Sequence, residues 1–163
     1  MIVSPLLLPR EEPPAAEVPA VVETAHRILV ADDDPAILRL FAALAKRERL
    51  ACDCAANGVE AVAALRQQDY SLIFLDLMMP RVDGWGVLDY LRTHAKEDMP
   101  SVFVVTAFLD QMVSNADRQI VTGILYKPVD GDDVAALMRA CARGGSAIGV
   151  MQRTRHRLIG APV

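Results

Sequence analysis

"RILVADDDP", residues 27–35, sets how the rest of the chain is read. Ile28 to Ala31 are apolar, and the next three residues, Asp32, Asp33 and Asp34, are carboxylates. A short apolar run of this kind reads as a buried strand. Adjacent carboxylates repel, and each raises its neighbour's pKa. Such a cluster at the end of a core strand therefore needs a reason. Asp34 has one close at hand, since it can cap a helix whose first turn holds Pro35. Asp32 and Asp33 do not.

Working outward, four more short runs follow: Ala51 to Ala55, Leu72 to Leu75, Val102 to Val105 and Ile124 to Tyr126. Helical patterns lie between them. Ile37, Leu40, Phe41 and Leu44 keep the i, i+3, i+4, i+7 spacing of one helix face. Asn57-Gly58 turns the chain, and Ala61, Val62 and Leu65 then share a side. Val87, Leu88 and Leu91 follow the third run. Val134, Leu137, Met138 and Cys141 follow the fifth, with Asp130 and Asp133 as a weak capping box and Gly144-Gly145 as a stop. The segment Asp110 to Val121 reads as a fourth helix with a thin apolar stripe. Fivefold strand–helix alternation predicts an α/β fold, a doubly wound parallel sheet with helices on both faces. Strands buried on both faces should be apolar throughout, as "LIFL" and "VFVV" are.

Composition sets the bounds. The chain has 163 residues, suits one domain, and is 53% hydrophobic, enough for a core. Its net charge of −4 argues against generic nucleic-acid binding, so no direct DNA contact is expected. Cys52, Cys54 and Cys141 are odd in number and lack zinc-site spacing; they read as reduced thiols of a cytoplasmic protein, with Cys52 and Cys54 packing in the core. No apolar run reaches the ~20 residues of a membrane span. "MIVSPLLLPR" lacks the positive start of a signal peptide, and Pro5 and Pro9 break it. Residues 1–26 hold five prolines and read as a flexible tail, residues 27–143 as the folded domain, and residues 144–163 as a second tail with Arg153, Arg155, His156 and Arg157. After Gly145 eighteen residues remain, too few for an output domain.

The polar residues at the strand ends now fall into line. Asp32 and Asp33 close the first strand, Asp76 the third, Thr106 the fourth and Lys127 the fifth. In a parallel sheet these all lie on the carboxyl edge, where open α/β sheets bind ligands. Clustered carboxylates with oxygen-only donors suit Mg²⁺, Mn²⁺ or Ca²⁺. A carboxylate can also attack phosphorus to give an aspartyl phosphate. That transfer needs a metal, a lysine and donors around the equatorial oxygens, and the constellation supplies them.

"ILVADDDP", "LIFLDLMMPRVDGW", "VFVVTA" and "LYKP" together resemble the receiver domain of two-component response regulators. The resemblance spans residues 27 to about 143. It implies a CheY-like, flavodoxin-like sheet of order 2-1-3-4-5. It implies that Asp76 accepts the phosphoryl group, with Thr106 and Lys127 as its catalytic companions. Mg²⁺ would be held by Asp33 directly, by Asp32 mainly through water, by Asp76 and by the Met78 backbone carbonyl. The Lys127–Pro128 bond would be cis. A sensor histidine kinase or phosphotransfer protein would donate the group. A downstream protein target would bind the face of the fourth predicted helix, fifth strand and fifth helix. The chain would modify itself rather than act as a turnover enzyme.

Some residues depart from that pattern. Ile124 stands where the family commonly has an aromatic ring, Tyr126 falls directly before Lys127, and Leu38 replaces a frequent arginine. His26, His94 and His156 form no cluster. Among rivals, a flavin carrier of similar fold wants a Gly-rich loop after the first strand, where this chain has "ADDDP". An aspartyl phosphatase wants a second acid beside its nucleophile, where Leu77 and Met78 follow Asp76. A receiver fold used only for docking, without phosphorylation, is the alternative that composition and motifs leave open.

Overall fold

Apolar runs too short for helices become the five strands of one parallel sheet. In the computed structural model, which describes residues 26–79, 83–94, 99–107 and 119–143, these are β1 (Arg27–Ala31), β2 (Ala51–Ala55), β3 (Leu72–Leu75), β4 (Ser101–Thr106) and β5 (Val121–Tyr126). Their order is β2-β1-β3-β4-β5, and every neighbouring pair is parallel. Four helices are described: α1 (Pro35–Arg47), α2 (Gly58–Gln67), α3 (Gly84–Thr93) and α4 (Gly131–Ala142).

Each helix starts where the sequence carries a capping oxygen. Asp34 accepts the Ala36 N–H, Asn57 that of Glu60, Asp83 that of Gly86, and Asp130 those of Asp132 and Asp133. Lys46 and Arg47 lie in the last turn of α1, where cations suit the helix dipole.

Strand side chains alternate between two cores, one on each face of the sheet. Ile28, Val30, Phe74 and Phe103 face α1 and α4, meeting Phe41, Leu44, Leu137 and Met138. Phe41 stands edge-on to Phe74 with ring centroids 4.8 Å apart. Leu29, Ile73, Leu75, Val102 and Val104 face α2 and α3, meeting Ala61, Val87, Leu88 and Leu91. No helix among the described residues is long and apolar enough to cross a membrane.

Two expectations need correction. The helical reading of Asp110 to Val121 runs too far, because Val121 opens β5 and Gln119 and Ile120 form a turn before it. β-branched Val121 and Thr122 suit the pleated strand. Residues 110–118 of that segment lie outside the described residues, as do both segments read as tails up to residue 25 and from residue 144. Cys54 is not a core residue but is exposed, while Cys52 packs against the α1–α4 core. β2 is an edge strand, so Cys54 escapes cover there, although Ala55 after it is buried. Burial and the neighbouring Cys54 push the Cys52 thiol up to about 12, which keeps it protonated.

Candidate functional site

The carboxyl ends of β1 and β3 are tied side by side. The Asp76 N–H donates to the Ala31 carbonyl of β1 at 2.8 Å, and β1 is tied in turn to β2 by the Asp32 N–H, which donates to the Ala55 carbonyl at 3.0 Å. That register carries both side chains to one edge. One carboxylate oxygen from each of Asp32, Asp33 and Asp76 lies within 4.8 Å of the others. Asp32 and Asp76 are buried and Asp33 is exposed. Asp34, the third acid of the stretch, is turned away as the cap of α1.

β4 and β5 complete the edge. A register shift between Val102 and Phe103 sets Thr106 opposite Tyr126, and the Lys127 N–H donates to the Thr106 carbonyl at 2.9 Å. Thr106 is buried at the strand end. Lys127 reaches into the acids: its Nζ is 2.6 Å from Asp76 Oδ2 and 2.8 Å from Asp32 Oδ2. The Lys127–Pro128 bond is cis.

The remaining oxygens are fixed by backbone. Asp32 Oδ1 accepts the Asp34 N–H at 2.9 Å, and Asp76 Oδ1 accepts the Met78 N–H at 2.9 Å. Asp32 Oδ2 is buried and, although close to Lys127, has no hydrogen bond of good geometry. Burial raises the Asp32 pKa, against the opposing pull of Lys127 and the Asp34 N–H. Burial pulls the Lys127 ammonium down, but the close Asp32 carboxylate and the hydrogen bond to Asp76 outweigh that and hold its pKa above the ordinary value. A buried oxygen short of donors, in an all-oxygen acidic cluster, is the environment a hard divalent cation completes. The donor set fits Mg²⁺.

Gly84 is a site residue whose reason the sequence did not reveal. Gly84 lies in the stretch "LIFLDLMMPRVDGW", but the sequence does not say what it does there. A Cβ on Gly84 would stand 2.3 Å from the Asp76 carbonyl oxygen and 2.6 Å from Leu77 Cα. The Gly84 N–H donates to the Leu77 carbonyl at 3.1 Å. α3 therefore begins pressed against the backbone that carries Asp76, at a distance only glycine allows. Met78 has a half-exposed side chain beside the site. Phe108, two residues after Thr106, lies outside the described residues. Ile124 is partly buried and packs against the α2–α3 core.

Comparison with known proteins agrees with this geometry. The family model for the response regulator receiver domain matches residues 28–139. The transcriptional regulatory protein TcrA of Mycobacterium tuberculosis is 31% identical over 119 residues, which are 73% of this chain and 47% of that protein. The chain spans about half the length of such curated relatives. The receiver domain of the Francisella response regulator 1452 superposes with a TM-score of 0.64 at 23% identity, covering 73% of this chain and 98% of that one. The chemotaxis protein CheY4 of Vibrio cholerae gives 0.64 at 19% identity, covering 71% and 98%. At these identities the structures speak for the fold, and the family match for the lineage: the chain belongs to the response regulator receiver domain family of two-component systems.

Proposed function

We propose that this receiver accepts a phosphoryl group on Asp76 from a phosphohistidine of a sensor kinase or phosphotransfer protein. The observation that carries the reading is the convergence of Asp32, Asp33, Asp76 and Lys127 at one sheet edge, with Thr106 beside them. One oxygen of Asp76 attacks phosphorus in line with the phosphorus–nitrogen bond. That bond breaks, its electron pair returns to the imidazole, and an acyl phosphate forms. The Met78 N–H holds the carboxylate in place during the attack. Lys127 turns from the carboxylates to a phosphoryl oxygen, and the Thr106 hydroxyl donates to another. Asp32, Asp33, Asp76 and the Met78 carbonyl would hold Mg²⁺, which when bound neutralises charge on the transferring group.

The chain changes state once per phosphoryl group rather than turning over a substrate. Its place is the cytoplasm, where histidine kinases present their phosphohistidine. The signal leaves through a protein partner on the face that includes β5 and α4. Ile124 has no ring to turn inward and is stiff at χ1, so it serves there as packing. Amide exchange compared between phosphorylated and free protein should change near Thr106 and survive Ile124→Val; loss of the change in that variant contradicts the packing role.

The function is tested with a small acyl phosphate and Mg²⁺. The intact protein should gain the mass of one phosphoryl group, and chelation of the metal should stop the gain. A protein that gains none, yet still binds a partner, would be a docking module instead.

A further inference from the structure

The edge of the sheet opposite the acids carries a groove between the C-terminal ends of α2 and α3. It is lined by Leu65, Tyr70, Tyr90, Leu91, His94 and Pro100. The Tyr90 and His94 rings stack at 4.2 Å between centroids, and the Arg66 guanidinium lies 5.6 Å from the centre of the Tyr90 ring. Tyr70 is fixed from behind. Its hydroxyl donates to Asp53 at 2.7 Å, and Arg27 donates to both oxygens of Asp53 at 3.1 and 2.8 Å. None of these groups touches the phosphoryl chemistry.

The chain enters the sheet beside this groove. The Ser71 N–H and hydroxyl both donate to the Arg27 carbonyl, at 2.9 and 3.2 Å, so the first residue of β1 lies one residue from Tyr70. The segment that precedes it reads "PLLLPREEPPAAEVP" over residues 5–19 and lies outside the described residues. Five of its fifteen residues are proline, which favours the polyproline II helix. Such helices bind aromatic-lined grooves, where proline rings lie on the aromatic faces and hydroxyl or amide groups donate to the peptide carbonyls. Here the exposed ring is His94, stacked on half-buried Tyr90, while Tyr70 is buried, and Gln68 among the lining residues carries an amide donor. The segment carries Glu11, Glu12 and Glu17 against one Arg10, opposite in sign to Arg66 although not to Asp69 at the same rim. The eight residue steps from Pro19 to Arg27 span up to roughly 25 Å as polyproline II, and Arg27 is bonded to Ser71, next to the lining residue Tyr70. Tethering over so short a distance gives a millimolar-range effective concentration, so a weak contact suffices.

We propose that the groove between α2 and α3 is a docking site for this chain's own proline-rich segment, residues 5–19. Docking lays the segment along the amino edge of the sheet and leaves the acid site free.

Nuclear Overhauser contacts in the full-length protein test this. Proline ring protons of residues 13–19 should contact ring protons of Tyr90 or His94. In a mixture of labelled and unlabelled protein, filtered for contacts between different molecules, they should vanish. Replacing Pro13 and Pro14 by Ser should abolish them while the spectrum of the folded domain persists. Tyr90→Ala should do the same from the groove side. Absence of the contacts, their survival in either variant, or their appearance only between molecules overturns the proposal, the last by making a second copy the donor of the segment.

Discussion

Three consecutive aspartates meet three different fates. Asp32 is buried with an oxygen short of donors, Asp33 is exposed within reach of the same centre, and Asp34 caps α1. Asp33→Ala should change metal-free stability by no more than about 0.5 kcal/mol, as surface substitutions do, and should abolish measurable Mg²⁺ binding in a titration. Asp34→Ala should cost about 1 kcal/mol of stability through the lost cap and leave Mg²⁺ affinity intact. Equal effects of the two on metal binding contradict the division of roles. Lys127 is the resident counter-ion of the cluster. Lys127→Ala should cost about 2–3 kcal/mol in a urea titration without metal, less than for a fully buried pair because Lys127 keeps some contact with water. Added Mg²⁺ should recover part of the loss. A loss that Mg²⁺ leaves untouched contradicts the counter-ion reading.

At the scale of elements, what was legible and what was not divide by pattern. Strand and helix periodicity repeats over several residues, so the five strands and the flanking helices could be read, and parallel strands alone bring Asp32, Asp76, Thr106 and Lys127 to one edge. The start of β5 is not legible, because Ile120 and Val121 suit a helix stripe and a strand equally. Gly84 and the Arg27–Asp53–Tyr70 network rest on single residues with no period, so only coordinates reveal them. Gly84→Ala should force α3 away from the Asp76 backbone, costing about 1–3 kcal/mol as overpacking does. It should also slow phosphorylation more than a helix-surface substitution such as Asp89→Ala does; equal rates contradict the close-approach argument. For Asp53, burial pushes the carboxyl up, but hydrogen bonds from Arg27 and Tyr70 outweigh it and hold its pKa below the ordinary value. A depressed pKa adds stability above the unfolded value near pH 4, and that stability is lost as pH falls through the folded pKa. The penalty of Asp53→Asn should therefore be present at pH 7 and shrink progressively below about pH 4. A penalty that does not change with pH contradicts the network.

The whole molecule has two working edges. The carboxyl edge of the sheet gathers the acids, Thr106 and Lys127; the amino edge gathers an aromatic groove where the chain enters β1. A rigid apolar sheet separates them, so chemistry at one edge and docking at the other can be altered independently. The central claim concerns the first edge, that Asp76 receives the phosphoryl group. After treatment with a small acyl phosphate and Mg²⁺, hydride reduction converts an aspartyl phosphate to homoserine and releases phosphate. Peptide mass spectrometry then reads which aspartate was modified. The account predicts homoserine at position 76 alone, with none formed in Asp76→Asn. Homoserine at position 32 or 33, or a phosphorylated Asp76→Asn protein, would contradict it.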